Sequence, residues 1–97
     1  MTLIDLDSRL SIPPHVMSRP VGDETVLLDL QSGRYFGLDS VGKRIWEAVS
    51  DGRTLAETAD RIVEEYDIGE DEARSDVINF ASKLVERGLL AHGLPGE

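Results

Sequence analysis

Every segment of this chain with a strand-like pattern lies before Asp39, and every segment with a helix-like pattern lies after it. That order constrains the fold more than any other feature. Strands first and helices after suggests an α+β layer, with helices covering one face of an antiparallel sheet. The 97 residues allow one such domain, because chains below roughly 100–150 residues rarely hold two cores.

The strands read as follows. Pro13-Pro14 fixes an extended entry. His15 to Arg19 reads as a first strand ended by Pro20, and a proline at each end suits an outer strand. Val21-Gly22-Asp23 signals a turn. Glu24 to Leu30, with Thr25, Val26, Leu27 and Leu28, is the clearest strand. Gln31-Ser32-Gly33 is a short loop whose glycine is free to take positive φ. Arg34 to Leu38 then returns as the third strand. Adjacent strand residues point to opposite faces, so one of Tyr35 and Phe36 faces the helices and the other faces away. Residues 1–11 are expected to be a flexible N-terminal segment, residues 12–90 the folded domain and residues 91–97 a frayed C-terminal tail.

Asp39 or Ser40 is placed to cap a first helix, in which Val41, Ile45, Ala48 and Val49 recur at helical spacing beside Trp46. Asp51-Gly52 stops it. Thr54-Leu55-Ala56-Glu57 is a capping box that opens a second helix with Leu55, Ala59, Ile62, Val63 and Tyr66 on its apolar face. Glu70, Asp71 and Glu72 place negative charge in the first turn of a third helix, where the helix dipole favours it. Ala73, Val77, Phe80, Ala81 and Leu84 form its main stripe, widened by Ile78 and Val85. At 100° per residue these positions cover about 160° of arc, more than the ~100° usual for a helix on one core. Part of that surface is therefore expected to face something other than the core. Arg87-Gly88 is a helix-stop pair.

Composition removes several function classes. Acidic residues number 19 against 10 basic, a net charge of -9, which argues against a phosphate-binding face. The third helix, with Glu70, Asp71, Glu72, Asp76 and Glu86 against Arg74, Lys83 and Arg87, is a poor recognition helix for DNA. A winged-helix DNA-binding protein is thus the weaker alternative. Zero cysteines exclude disulfides, thiolate metal sites and thiol nucleophiles. His15 and His92 are far apart in sequence, and no triad or metal spacing surrounds either, so neither an enzyme nor a metal or cofactor is expected. Gly37 to Arg44 nearly matches a phosphate loop. Arg44, however, sits where that motif needs a hydroxyl, Asp39 would put negative charge in the cradle, and a cap at Ser40 draws Gly42 and Lys43 into the helix. The acidic stretch from Glu57 to Asp76 lacks the order of a calcium loop and reads as a solvated face. No apolar run approaches the ~20 residues needed to span a bilayer, and with no export signal the cytoplasm is the expected compartment.

One ordered set of residues resembles a known family. Leu28-Asp29-Leu30, Ser32-Gly33-Arg34-Tyr35-Phe36-Gly37-Leu38-Asp39, Gly42 and Ile45-Trp46, followed by Asp76-Val77, Phe80, Leu84 and Gly88-Leu89-Leu90, resembles the signature of the PqqD family, the RiPP recognition elements of ribosomally made, modified peptides. The resemblance runs over about residues 12–90. It implies a winged-helix-like domain, a three-stranded antiparallel sheet followed by three helices. It implies further that the chain is a non-catalytic adaptor. Such proteins bind the leader segment of a precursor peptide as an added strand at the third strand's edge, against the third helix, and deliver it to a leader peptidase and other modifying enzymes. A free chain of this kind looks most like the lasso-peptide pathway proteins; a carrier of a quinone-cofactor precursor to a radical enzyme is the sibling reading.

Carried over residue by residue, the resemblance assigns Arg34, Tyr35, Phe36, Gly37 and Leu38 to the strand whose backbone pairs with the leader. It assigns Asp76, Val77, Phe80 and Leu84 to the helix beside it. Phe80 lies at one margin of the helix's apolar arc, with Lys83 and Arg87 next to it and placed to meet acidic leader residues. Ile78 and Val85 lie at the opposite margin, and the sequence leaves open which margin faces the strand.

Overall fold

The computed structural model describes residues 4–92. The elements are β1 (Leu10–Ser11), β2 (Val16–Val21), β3 (Glu24–Asp29), β4 (Tyr35–Leu38), α1 (Ser40–Ser50), α2 (Leu55–Tyr66), α3 (Glu70–Glu86) and β5 (Ala91–His92). β2, β3 and β4 form one antiparallel sheet in that order, so β2 and β4 are its edges. A three-stranded sheet followed by three helices is the expected α+β arrangement.

Two details depart from expectation at the ends of the chain. β1 and β5 pair antiparallel, Leu10 opposite His92 and Ser11 opposite Ala91. Strands of two residues carry no periodicity, so neither was legible in the sequence. Residues 4–11 are built into the fold and are not a loose segment. Leu10 is 1% exposed, and the Leu55 and Ala56 N–H groups donate to the Ser8 and Leu6 carbonyls at 3.1 and 2.9 Å. Those N–H groups belong to the first turn of α2, where no helical carbonyl is available to them. The N-terminal segment thus completes the start of a helix more than 40 residues downstream. In the C-terminal tail, Ala91 and His92 are paired; residues 93–97, like residues 1–3, lie outside the described residues.

Pro20 does not end its strand, as expected, but lies within β2 opposite Thr25. The ladder explains why this is allowed. Leu30 N–H donates to the His15 carbonyl at 2.8 Å, and hydrogen-bonded pairs alternate along an antiparallel ladder. Counting in twos, Met17, Arg19 and Val21 bond to β3, whereas Val16, Ser18 and Pro20 turn their backbone outward. The missing N–H of Pro20 therefore falls on the free side and costs the sheet no bond.

Helix starts follow local chemistry. Asp39 caps α1, its Oδ1 accepting from Gly42 N–H at 2.8 Å. Thr54 and Glu57 close the capping box: Thr54 Oγ1 accepts from Glu57 N–H at 3.1 Å, and Glu57 Oε1 accepts from Thr54 N–H at 2.9 Å. α3 begins after Gly69 with no side-chain cap and relies on the acidic first turn of Glu70, Asp71 and Glu72. The helices close over one face of the sheet, burying Leu27, Leu38, Ile45, Trp46, Ile62 and Leu84 in a single core.

Candidate functional site

The site is built from the sheet edge that the helices leave open. Asp29 N–H donates to the Arg34 carbonyl at 2.9 Å across the hairpin. By the same alternation, Leu27–Phe36 and Thr25–Leu38 are the hydrogen-bonded pairs of the β3–β4 ladder. Phe36 and Leu38 spend their backbone groups on β3. Tyr35 and Gly37 turn theirs outward, offering two N–H donors and two carbonyl acceptors along the free edge of β4. The two sheet edges are unequal: Pro20 blunts β2, while β4 contains no proline.

This refines the expected set. Arg34 precedes β4; its carbonyl is taken by Asp29, and its N–H donates to Ser32 Oγ at 3.2 Å, so its backbone is closed to a partner. The hairpin loop holds it there. Gly33 takes φ +74°, and Asp29 Oδ1 accepts from the Gln31 and Ser32 N–H groups at 2.9 and 3.4 Å. Those donors hold the Asp29 carboxyl below its ordinary pKa, the Gln31 N–H contributing most. Leu38, Val77 and Leu84 are buried at 2%, 0% and 0% exposure; they brace the site from within the core and offer it no surface.

Side chains alternate as expected. Tyr35 points away from the helices and is 77% exposed. Phe36 points toward α3 and is half-buried against the core. The margin of α3 that meets it is the one bearing Phe80, Lys83 and Arg87. Lys83 Nζ lies 5.3 Å and Arg87 Cζ 5.1 Å from the centre of the Phe36 ring, within cation–π range. Phe80 reaches the start of α1, where a Cβ on Gly42 would sit 3.1 Å from Phe80 Cε2; glycine lets the ring lie against that turn. Asp76 is exposed on the same side of α3, seven residues before Lys83. Ile78 and Val85, on the opposite margin, are half-buried against the core.

A cleft of about 360 Å³ continues the groove past the start of β4, lined among others by Asp29, Ser32, Arg34, Phe36, Arg87 and Leu89. Asp29, Ser32 and Leu89 were not singled out as site residues from sequence. The family signature contains all three, and only folding shows that the hairpin loop and the chain after α3 meet. His15 is half-buried, its Nε2 3.3 Å from the Gly88 carbonyl, and ties the entry of β2 to the end of α3.

The phosphate-loop lookalike is occupied by structure. Asp39 fills the first-turn donor at Gly42, and Arg44 is engaged by Glu65 at 3.1 Å and Glu47 at 3.4 Å. Among the described residues no group of three metal-ligating side chains comes together. No described helix is long and apolar enough to cross a membrane.

Residues 24–90 match the model of the family described as Coenzyme PQQ synthesis protein D (PqqD). No curated protein matches. Among solved structures, the chain is similar to TbiB1 in complex with the TbiA(beta) leader peptide, with 38% identity, a TM-score of 0.77 and coverage of 90% of this chain and 96% of that one. It is also similar to a lasso peptide synthetase B1 complexed with the leader peptide, with 26% identity, a TM-score of 0.81 and coverage of 90% and 99%. With a family model matching residues 24–90 and a structure 38% identical across nearly all of both chains, this chain belongs to the PqqD family.

Proposed function

We propose that this chain is a non-catalytic adaptor of lasso peptide biosynthesis. It binds the leader of a precursor peptide as a fourth strand on β4 and hands the precursor to a leader peptidase and a cyclase. The observation that carries this is the open β4 edge beside the Phe80–Lys83–Arg87 margin of α3, in a chain similar over 90% of its length to B1 proteins solved with leader peptides. Strand addition draws affinity from main-chain bonds and specificity from alternate side chains. Four outward groups at about 1 kcal/mol each, with two or three apolar anchors at about 1.5–3 kcal/mol each, exceed the several kcal/mol lost to ordering and association. A roughly micromolar to tens-of-nanomolar dissociation constant follows. The family's name favours a second reading, delivery of a quinone-cofactor precursor to a radical enzyme. The two structures bound to leaders favour the first.

Titration of fluorescent TbiA(β) leader peptide tests the proposal. Binding is expected in that range, weakened about tenfold by Tyr35→Pro, which removes one outward N–H. Absence of binding overturns the adaptor reading. Unchanged affinity in Tyr35→Pro overturns the assignment of the β4 edge.

A further inference from the structure

Two cations of this acidic chain meet at one point of the groove. In a protein of net charge -9, the end of the groove at Phe36 is flanked by Lys83, Arg87 and Arg34. Lys83 and Arg87 lie 5.3 and 5.1 Å from the Phe36 ring. Among the described residues no carboxylate is within ion-pair distance of any of the three, whereas Arg44 and Arg74 are both paired. The nearby acids are otherwise placed. Asp29 is held by its own loop. Glu86 lines the same cleft as Arg34, Phe36 and Arg87, but it is rotated about 100° from Arg87 on the helix and pairs with none of the three cations. Asp76 is about 10 Å further along α3. Two cations are thus held by one ring, and among the described residues no carboxylate pairs with either.

The β4 edge says which position of an added strand they would meet. Phe36 turns its backbone to β3, so on its outer side it forms a pair without hydrogen bonds, the kind in which facing side chains come closest. A residue directly opposite Phe36 shares its face and points at α3. We propose that this one leader position selects a carboxylate side chain, Asp or Glu, held by Lys83 and Arg87. The proposal rests on the leader-binding reading and adds to it a residue-level specificity. Asp76 gives the groove an opposite sign at its other end, so the same carboxylate moved several positions along would be disfavoured.

The test uses synthetic TbiA(β) leader peptides in which each position is replaced in turn by Glu and by Lys, titrated onto the wild-type chain and onto K83E/R87E. K83Q/R87Q serves if the charge reversal fails to fold by circular dichroism. One position is expected at which Glu binds about tenfold more tightly than Lys on the wild type. That preference reverses on K83E/R87E, vanishes on K83Q/R87Q, and shrinks in about 0.5 M salt. Peptides that bind with no such position overturn this proposal and leave the adaptor reading intact. Failure of the unmodified peptide and of every variant to bind the wild type overturns both.

Discussion

Neighbouring residues of β4 have opposite jobs, and the difference is one of hydrogen-bond direction. Phe36 holds the strand in the sheet, while Tyr35 and Gly37 face whatever comes to the edge. The same substitution should therefore act differently at two adjacent positions. Phe36→Pro removes a ladder donor, strands a Leu27 acceptor and deletes a half-buried ring, and is expected to cost about 2–4 kcal/mol in a denaturant melt. Tyr35→Pro is expected to change stability by less than about 1 kcal/mol, because its N–H has no partner in the free protein. Equal losses at the two positions would show the register to be misassigned. Gly33 is a simpler case. An added Cβ there meets nothing, so Gly33→Ala should cost only the left-handed backbone conformation, about 1 kcal/mol.

At the scale of elements, the helices are specified mostly by their ends. Asp39, the Thr54–Glu57 box and the acidic start of α3 are local signals, and each marks a helix start in the structure. Thr54→Ala removes the acceptor at the Glu57 N–H and is expected to lower stability by about 0.5–2 kcal/mol, read by thermal melting. The rotation of α3 about its axis is another matter. Its apolar arc is wide enough to be packed in more than one rotation, and the periodicity of the sequence does not choose between margins. Packing does, chiefly against α2: Lys83 and Arg87 lie over Phe36, Phe80 lies against the start of α1, and Ile78 and Val85 pack on the core from the other margin. Phe80→Ala should weaken TbiA(β) leader binding several-fold, with a melting loss smaller than a fully buried phenylalanine would give, because the ring is only half-buried.

For the molecule as a whole, the excess of acidic residues leads to a prediction about partners. A net charge of -9 predicts no mobility shift of random duplex DNA even at low salt, where phosphate contacts are strongest; a clear shift would contradict the charge argument. Two carboxyls couple stability to pH. Asp29 is held below its ordinary value of 3.8 chiefly by the Gln31 N–H, and Glu57 below 4.5 chiefly by the Thr54 N–H. Each favours the folded state as an anion. Their support is complete above those ordinary values and is lost as pH falls through the lower folded ones. Melting temperature should therefore drop between about pH 5 and about pH 3, less steeply in Glu57→Gln, which cannot lose a charge.

The sequence by itself determined the order of the three sheet strands and three helices, the turn at Gly33, the helix starts, and the resemblance that points to peptide binding. These depend on backbone preferences, caps and composition, which act over a few residues or over the whole chain at once. Tertiary structure alone decided four things. It placed Pro20 inside a strand and tied the N-terminal segment to the start of α2 through Leu6 and Ser8. It sorted the candidate site residues into an outward pair, Tyr35 and Gly37, and buried supports such as Leu38, Val77 and Leu84. It also set Lys83 and Arg87 over Phe36. Each of these depends on which partner lies across a ladder or under a helix, and pairing between distant segments leaves no local mark on either one.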